Sequence, residues 1–506
     1  MRGTTSGRAL RAARALRNGP AAVTVATRHL ARGSDHVQTV PQPWLGREAY
    51  RSAQSALRDG DLMLARDRAA RAGLAGRVLG HLVDGELGTL SPTVPDGPRT
   101  LAPRSAPGTT RVLHLVSSAL PEIVAGYTLR TQGIASAQQR AGHDVHVVTQ
   151  VGFPVTRGHL AAEAEVVVDG VPHHRMLPVR LPFRADVALR ADIEGAARLV
   201  QRLRPTVLHA HSNHVNGQVG LALRSRFGIP LVYEVRGLLE ETWLSRGDGR
   251  HSAASDFYRL NRAAETAVMR AADVVVVLNE ALRDEVVARR VPAERVHVVP
   301  NCVDRSWLEH PVAEPSPGRQ TLTVGLVGTL NAYEGLDVLV DAVAARRAAG
   351  SDVRLLVVGD GAARADLVRL AADRGLGDAA TFTGRVPYAE VRAAYARLDV
   401  FCLPRLDLPV TRLVPPLKPV EAMALGIPVV ASDLAPLREL VGEDRGILFP
   451  AGDAGALAAA LAGLADPDLR RTLGAAAQHW VAETRTWEAA ATRYQQIYAL
   501  TRGENP

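Results

Sequence analysis

The sequence predicts an α/β protein made of two halves of similar size, each a parallel sheet covered by helices. From residue 111 onward, short apolar segments of strand length alternate with segments of helix length. Fully apolar strands of this kind are typical of sheets that are buried on both faces. The same order of strand, glycine turn and helix restarts at Leu322. A chain of 506 residues has room for two or three such domains.

A separate section precedes these halves. Residues 1–87 are rich in Ala, Arg and Leu, and residues 50–66 show helical spacing of apolar residues, which predicts a helical N-terminal extension. Residues 88–110 contain five prolines and are predicted to form an extended linker.

The two halves are expected to be Rossmann-like domains spanning residues 111–300 and 301–484. In the first, the predicted strands are 111–116, 142–148, 206–210 and 230–235; in the second, they are 322–328, 354–359, 380–383, 400–403 and 428–431. Loops at the carboxyl ends of such strands form ligand sites, so a central cleft between the halves is the expected site. Residues 485–506 are predicted to be a C-terminal helix that packs back toward the first half, with Trp487, Tyr494 and Tyr498 as a packing stripe.

The amino-acid composition limits the classes of function and of partner. Hydrophobic residues make up 47% of the chain and aromatic residues 4%, so the protein is ordered but poor in the stacking platforms of nucleic-acid binders. The net charge of +8 suits anionic partners such as nucleotide diphosphates or acidic lipids, although an arginine bias of the genome gives the same excess. Cys302 and Cys402 stand far apart, which disfavours a disulfide scaffold or a zinc site and fits a reducing cytoplasm.

No apolar run approaches the roughly 18 to 20 residues that span a bilayer, and the basic N-terminus lacks the core of a signal peptide. We therefore expect a cytoplasmic protein. Its basic first residues could lie on an anionic membrane surface, or they could simply be a lineage-specific extension.

Glu421 is the first candidate site residue. It is predicted to lie in the first turn of a helix that starts near prolines and stops at Gly426. Unpaired N–H groups at such a helix start suit a diphosphate, and a Glu there can accept hydrogen bonds from a ribose diol. The alternative is a Glu that only stabilises its own helix.

Other candidates are glycines, histidines and cations at strand ends. Gly328 and Gly126 would let the backbone approach a phosphate. His209 and His211 are expected to point to opposite faces of a strand, so that only one of them enters the cleft; a buried or rim position is the alternative. No metal site is expected, since ligand spacing around them is poor. The basic residues that could stabilise a leaving nucleoside diphosphate are Arg385, Arg405 and Lys418, with solvated surface favoured for Arg385.

Ordered motifs from Arg111 to about Leu500 carry a family resemblance. They are Gly126–Thr131, Arg140–Val145, His209–Ser212, Gly217–Gly220, Val299–Asp304, Tyr333–Asp337, Val358–Gly361, Thr383–Pro387 and Pro416–Ala424. In this order they resemble family 4 of the retaining nucleotide-sugar glycosyltransferases, which have the GT-B fold. Within the family, the chain is most similar to the subgroup associated with exopolysaccharide and exosortase gene clusters.

The resemblance implies residue roles. Glu421 would hold the donor ribose, Gly126 and Gly328 the diphosphate, and His211 would lie near the sugar and the acceptor. The further donor-side residues that it implies are Thr329, Gly359, Asp360, Arg385, Val386, Pro416 and Leu417, and those on the acceptor side are Tyr127, Arg236 and Glu240.

Three signature side chains of the family are absent. Leu413 stands eight positions before Glu421, where the family has the first Glu of a motif whose second Glu is matched by Glu421, and Thr329 and Glu334 stand where it has a diphosphate-binding Arg and Lys. We therefore expect Arg405 and Lys418 to supply the positive charge. These two residues and His211 are the predicted catalytic side chains.

The predicted function is metal-independent, retaining transfer of a sugar from a nucleotide-diphosphate sugar to a glycan, glycolipid or small polyol, in cell-surface polysaccharide biosynthesis. No cofactor and no nucleic-acid partner are expected. The alternative is a catalytically inactive binding or scaffold protein of the same fold, because of the missing signature residues.

Overall fold

The computed structural model describes residues 47–91, 110–246, 249–309 and 321–501. The chain divides into two compact units. The first comprises residues 1–277, 286–297 and 494–506, and the second comprises residues 278–285 and 298–493. The predicted linker falls almost wholly, and the basic first 46 residues entirely, outside the described residues.

The first unit contains an eight-stranded sheet with the order β3-β4-β2-β1-β5-β6-β7-β8. The strands are β1 (Arg111–Val116), β2 (Asp144–Thr149), β3 (Glu165–Val168), β4 (Val171–Arg175), β5 (Val207–His211), β6 (Leu231–Glu234), β7 (Val274–Val277) and β8 (Val296–Val298). β3 pairs antiparallel to β4, while β4, β2, β1, β5, β6 and β7 run parallel. The edge hairpin of β3 and β4 escaped the sequence prediction because its outer strand alternates between half-buried and exposed residues.

Three helices precede this sheet: α1 (Arg47–Arg58), α2 (Leu62–Ala70) and α3 (Gly73–Leu90). Their apolar faces form one buried cluster that includes Leu62 and Leu79 and also Ala264 from the sheet-covering helices. Backbone contacts fix the same packing, since Phe257 N donates to Gly60 O at 2.9 Å. The described part of the helical extension is therefore an integral layer of the first unit.

The helices that follow the strands of the first unit are α4 (Gly126–Arg140), α5 (Ala185–Leu203), α6 (His214–Phe227), α7 (Leu239–Leu244), α8 (Asp256–Ala271) and α9 (Glu280–Ala288), the last of which crosses into the second unit.

The second unit contains a six-stranded parallel sheet with the order β11-β10-β9-β12-β13-β14. Its strands are β9 (Leu322–Val327), β10 (Val353–Val358), β11 (Ala380–Gly384), β12 (Val400–Leu403), β13 (Val429–Ser432) and β14 (Gly446–Phe449). Its helices are α10 (Leu336–Ala348), α11 (Arg364–Asp373), α12 (Val391–Tyr395), α13 (Pro409–Leu413), α14 (Lys418–Ala424), α15 (Ala435–Val441), α16 (Ala454–Gly463) and α17 (Pro467–Thr484). Two parallel α/β sheets confirm the predicted fold class.

The C-terminal helix α18 (Trp487–Thr501) ends the described chain. Tyr494 and Tyr498 are fully buried in the first unit. Their hydroxyl groups bond to polar side chains there, so they are more than an apolar packing stripe.

Within the described residues, none of the helices combines the length and the apolar character needed to cross a membrane.

Candidate active site

Two glycine turns meet backbone to backbone in the second unit. Gly328 follows β9 with φ +149°, and Gly359 follows β10 with φ +137°. A Cβ added to Gly359 would lie 1.9 Å from the carbonyl oxygen of Gly328, so no side chain fits there. The turn after β11 joins them, because Gly359 N donates to Gly384 O at 2.9 Å. Main chain alone therefore forms this surface, which allows close approach by a ligand.

The side chain of Lys418 crosses this surface. A Cβ added to Gly328 would lie 2.4 Å from Lys418 Cε. Lys418 Nζ then lies 3.0 Å from Glu334 Oε1. The sequence analysis named Lys418 and Gly328 as separate candidates for a diphosphate, and the structure of the second unit brings the two together.

Arg405 approaches the same carboxylate. Its Nη2 lies 3.2 Å from Glu334 Oε1, and its Nε lies 3.3 Å from Oε2. Arg405 Nη1 also donates to Val414 O at 2.9 Å, next to the position of Leu413 at the end of α13. We call Glu334, Arg405 and Lys418 the Glu334 trio. Its two cations and one anion give it a net charge of +1.

Burial and charge oppose each other in the Glu334 trio. The side chain of Glu334 is 3% exposed. Burial alone would raise its pKa, but Arg405 and Lys418 outweigh burial and lower the pKa of Glu334 to about 2. Burial lowers the pKa of Lys418, and Glu334 opposes that shift. The carboxylate is therefore ionised at neutral pH and forms an ion pair with both cations, while Lys418 Nζ has no hydrogen-bond partner among the described atoms.

Glu421 lies in the first turn of α14 and is 8% exposed. Its Oε2 accepts a hydrogen bond from the hydroxyl of Tyr395 at 2.7 Å. Burial raises the pKa of Glu421 to about 7, against the effects of Tyr395 and Lys418. The helix stops before Gly426, as the sequence predicts, but it has only seven residues. Because so short a helix has a weak dipole, the charge for a phosphate must come from side chains.

The remaining predicted donor-side residues border the glycine turns. Asp360 directly follows Gly359, and its Oδ1 accepts from Gly361 N at 2.9 Å. Arg385 and Val386 follow Gly384, whose strand end bonds to Gly359. Those exposed to solvent are Thr329, Asp360 and Arg385, while Pro416 is buried and Leu417 is half-buried before α14.

The first unit holds a buried polar network at the carboxyl end of its sheet. Its three histidines, His114, His209 and His211, are at most 2% exposed. The rings of His209 and His211 stack with centroids 4.3 Å apart. The expectation that these two histidines face opposite sides was wrong, since alternate residues of a strand share one face.

The network is a closed ring of six groups. His211 Nε2 contacts His114 Nδ1 at 2.9 Å, and His114 Nε2 contacts Gln138 Oε1 at 2.9 Å. Gln138 Nε2 donates to the Tyr498 hydroxyl at 2.8 Å, which contacts His209 Nδ1 at 2.8 Å. Glu234 closes the ring, 3.2 Å from His211 Nδ1 and 3.4 Å from His209 Nε2.

Counting protons shows what this ring lacks. Three neutral imidazoles, one amide N–H and one hydroxyl supply five protons for six contacts. The count is the same for either orientation of the Gln138 amide. One contact is therefore made without a proton; with the Gln138 amide oriented as above, it is the contact between His114 Nδ1 and His211 Nε2.

Two arginines and a tyrosine, which are stronger donors than the histidines, bind the Glu234 carboxylate. Arg130 Nε lies 3.0 Å and Arg236 Nε 2.6 Å from its Oε1, and the Tyr494 hydroxyl donates to Oε2. Burial lowers the pKa of His209 and His211, and Arg236 adds to that shift. The three histidines do not fit a metal ion, because their rings stack and their nitrogens face Gln138, Tyr498 and Glu234.

Comparison with known proteins identifies the family. The model of "Glycosyl transferase 4-like domain" matches residues 125–302, and that of "Glycosyl transferases group 1" matches residues 321–466. A GDP-mannose-dependent alpha-mannosyltransferase of Mycolicibacterium smegmatis is 30% identical over 395 residues, which are 76% of this chain and 92% of the relative. The chain belongs to the family 4 glycosyltransferases.

Solved structures show the same fold for this glycosyltransferase. Sucrose-phosphate synthase from Thermosynechococcus elongatus aligns with a TM-score of 0.64 and 24% identity, covering 78% of this chain and 99% of that one. Anabaena HepE in complex with UDP and glucose aligns with a TM-score of 0.58 and 18% identity, covering 77% and 100%. The fold is therefore GT-B, as the resemblance implied.

The binding residues predicted in the first unit are Gly126 on the donor side and Tyr127, Arg236 and Glu240 on the acceptor side, and their surroundings differ. Gly126 and Tyr127 begin α4; a Cβ added to Gly126 would meet nothing within 4 Å, and Tyr127 is 46% exposed. Arg236 Nη1 donates to Tyr127 O at 2.6 Å, which ties this turn to Glu234. Glu240 is fully buried, and Arg289 Nη1 donates to it at 2.8 Å. The second carboxylate oxygen of Glu240 has no hydrogen-bond partner among the described atoms, and the acceptor role of Glu240 stays a prediction.

His211 is enclosed by the polar network, and its role near the sugar and the acceptor stays a prediction. Both its ring nitrogens are used inside the network, and its carbonyl oxygen accepts from Asn216 Nδ2 at 2.7 Å. In this structure it has no free polar atom for a substrate, and the contribution that it makes is to the network around Glu234.

Sequence reasoning missed Tyr395 and Glu234. Tyr395 lies in the short helix α12, where an isolated aromatic residue predicts core packing. Glu234 ends an apolar strand. Its buried carboxylate contacts two cations, Arg236 and Arg130. Only Arg236 is close to Glu234 in the sequence and could have indicated a buried carboxylate there.

The buried histidines of the glycosyltransferase should lower its stability in acid, against the buried carboxyl groups of Asp192, Glu265 and Glu421, whose raised pKa values act in the opposite direction. Burial lowers the pKa of His173 and of His214 to about 4, below the ordinary value of 6.5. The unfolded chain binds protons between these values and the folded chain does not, so stability is complete above pH 6.5 and is lost as pH falls toward 4. Each histidine should then cost about 2 kcal/mol at pH 5. Urea midpoints at pH 7.5, 6 and 5 measure the loss.

Variants identify the source of this acid sensitivity. His214→Gln should raise the urea midpoint at pH 5 relative to that at pH 7.5 when compared with the unaltered protein, whereas replacement of the exposed His479 should leave this difference unchanged. The same difference in His214→Gln and in the unaltered protein would contradict the prediction.

Proposed function

We propose that this glycosyltransferase moves a sugar, with retention, from a nucleotide-diphosphate sugar to a glycan, glycolipid or small polyol in cell-surface polysaccharide biosynthesis. The observation that carries the proposal is the grouping of Glu421, Lys418 and the Gly328 turn in the second unit. Lys418 and Glu421 stand one turn apart on α14, and Lys418 lies across Gly328. The ribose and the diphosphate are neighbours in a nucleotide-diphosphate sugar, so a carboxylate for the ribose and a cation for the diphosphate must lie side by side.

Glu421 would hold the donor ribose. An ionised carboxylate can accept two hydroxyl hydrogen bonds, and the Tyr395 hydroxyl fixes its orientation at 2.7 Å. Since the pKa of Glu421 is raised to about 7, the acceptor form is lost as pH falls through 7. Donor affinity should therefore rise with pH between 6 and 8, and titration calorimetry at these pH values measures it. A flat profile would contradict this assignment.

Lys418 and Arg405 would stabilise the diphosphate of the leaving nucleotide. Charge-assisted hydrogen bonds from such cations are about twice as strong as neutral ones and act where negative charge develops in the transition state. Because two protein cations are present in the second unit, we propose that transfer needs no divalent metal. Activity that disappears in EDTA and returns with magnesium would contradict this point.

Retention in this proposal requires no protein nucleophile. The leaving phosphate takes the proton of the acceptor hydroxyl as the new glycosidic bond forms on the face that the phosphate leaves. The protein then acts by positioning and by stabilising charge. Asp360, Val386 and Leu417 are proposed to border the nucleoside, since they flank the glycine turns or precede α14.

The names of the relatives set the order of a donor screen. One relative is GDP-mannose-dependent, and one structural neighbour was solved with UDP and glucose. A thermal-shift screen of purified protein should start with GDP-mannose and UDP-glucose and should be followed by an assay for slow release of nucleoside diphosphate. A donor that raises the melting temperature and is turned over supports the proposal. Tight binding without any turnover supports the alternative, an inactive binding protein, and an absence of binding across the screen contradicts both.

We further propose a cytoplasmic protein that makes peripheral contact with the membrane through its basic N-terminus. The five arginines among residues 2–17 would provide the attraction to anionic lipid. Cosedimentation with phosphatidylglycerol vesicles should be lost in a chain that starts at Arg47, which lacks the basic segment and keeps the packed helices α1–α3. Equal cosedimentation of the two chains would contradict this part of the proposal.

A further inference from the structure

A groove of about 680 Å³ runs between β4 and α5 in the first unit. Its floor is apolar. Ala191, Gly195 and Leu199 follow one another at four-residue spacing on α5, and Met176 lies opposite them. A Cβ added to Gly195 would lie 2.3 Å from Met176 Sδ, so the glycine makes the space that Met176 occupies.

Cations dominate the walls of this groove. Four arginines line it, at 175, 180, 198 and 202, against two glutamates, at 165 and 194. Four positive and two negative charges leave an excess of +2. Arg198 and Arg202 are one turn apart on α5, and Arg180 lies on the segment that follows β4, across the groove from them.

The excess of positive charge belongs to Arg180 and Arg198, because the other arginines of the groove are paired with carboxylates. Arg175 is buried and binds Glu122 with both carboxylate oxygens, at 2.6 and 2.7 Å. Glu165 accepts from His174 at 2.9 Å and lies 3.7 Å from Arg202. Arg180 and Arg198 form no ion pair with any carboxylate in the described part of the chain, so the charge of the groove is available to a ligand.

We propose that this groove binds an acidic saccharide, whose carboxylate or phosphate groups pair with Arg180 and Arg198. Guanidinium groups bind such planar or tetrahedral anions with paired hydrogen bonds. The apolar floor suits the C–H face of a sugar ring, and the volume is in the range of small-ligand sites. Arg175 ends β4, which runs parallel to β2, and carboxyl ends of parallel strands are where α/β proteins bind ligands.

The inference rests on the proposed function, because it names the chemical class of the acceptor as an anionic glycan. Its test is a direct binding measurement on the full chain, which needs neither donor nor turnover. The probes are tetragalacturonate for carboxylates, glucose 6-phosphate for phosphate and maltotetraose as the neutral oligosaccharide. We expect titration calorimetry to show binding of an acidic probe that weakens with added salt, and no binding of maltotetraose.

Substitutions locate the binding. Arg198→Ala and Arg180→Ala should each weaken the acidic probe about tenfold, because each removes a charge-assisted hydrogen bond. Arg198→Glu should abolish binding. Arg190→Ala is the matched control, since Arg190 lies on the same helix, pairs with Asp186 at 3.1 Å and is absent from the groove lining.

Three results would overturn the inference. They are an absence of binding of both acidic probes, binding of maltotetraose as tight as that of tetragalacturonate, and an equal loss in Arg190→Ala and Arg198→Ala. A preference for glucose 6-phosphate or for tetragalacturonate decides whether phosphate or carboxylate is the anion. Thermal shifts with the nucleotide sugar should be the same in the groove variants and the unaltered protein, so failure of the donor site is recognised separately.

Discussion

Replacing Glu421 with alanine is expected to weaken binding of the donor about a hundredfold. Two hydrogen bonds from ribose hydroxyls to a buried carboxylate contribute about 1.5 kcal/mol or more each, and both are lost. The Tyr395 hydroxyl also loses its partner at 2.7 Å and keeps only the carbonyl oxygen of Lys418, at 3.2 Å. Titration calorimetry with the donor found in the screen measures the change.

Two further variants accompany Glu421→Ala: a conservative substitution at the same position and a control at an exposed carboxylate. Glu421→Gln keeps an acceptor for Tyr395 but removes the charge, so it should lose about tenfold in affinity and little stability. Replacement of Glu443, an exposed carboxylate of the same unit, should change neither quantity. An unchanged dissociation constant for Glu421→Ala would refute the assignment of the ribose site.

Replacing Glu334 with glutamine is expected to have opposite effects on stability and on donor binding. Removal of the carboxylate leaves Arg405 and Lys418 as buried cations without their anion, and breaking a buried pair costs about 3 kcal/mol or more. The same change raises the charge of the Glu334 trio from +1 to +2. Because the diphosphate then no longer competes with Glu334 for the two cations, donor affinity should increase about tenfold. Urea denaturation and calorimetry on one preparation measure both effects.

Lys418→Ala gives the comparison for this prediction. It should weaken the donor and lower turnover by tenfold or more, since removal of one such contact has that effect on charge stabilisation. If Glu334→Gln weakens the donor as much as Lys418→Ala, Glu334 positions the two cations instead of competing for them. If Lys418→Ala has unchanged kinetics, Lys418 is not a phosphate ligand.

The fold could be predicted from the sequence because its strands are continuously apolar and short. β9 and β12, for example, are buried along their whole length, and glycines mark the turns after β9 and β10. The edge strands β3 and β14 lack this pattern, since they are only partly buried. Local pattern therefore indicates the centre of each sheet better than its edges.

The site could be predicted only in part, for a physical reason. Glu421 and Lys418 lie on one short segment, and the spacing of prolines and glycine around them predicts the helix. The partners of Glu334 lie 71 and 84 positions away along the chain, so its ion pairs have no local signal. The Glu234 network is less visible still, because Arg130 and Tyr494 are 364 positions apart. Buried polar contacts between distant segments depend on the tertiary fold, which periodicity does not report.

The burial of Tyr494 and Tyr498 in the first unit also has a consequence for biosynthesis. Domains generally fold as they leave the ribosome, from the N-terminus onward. The hydroxyl partners of Glu234, Gln138 and His209 emerge only after the whole second unit has been translated. The nascent first unit therefore remains with a charged, incompletely bonded interior until α18, which is synthesised after the second unit, completes it.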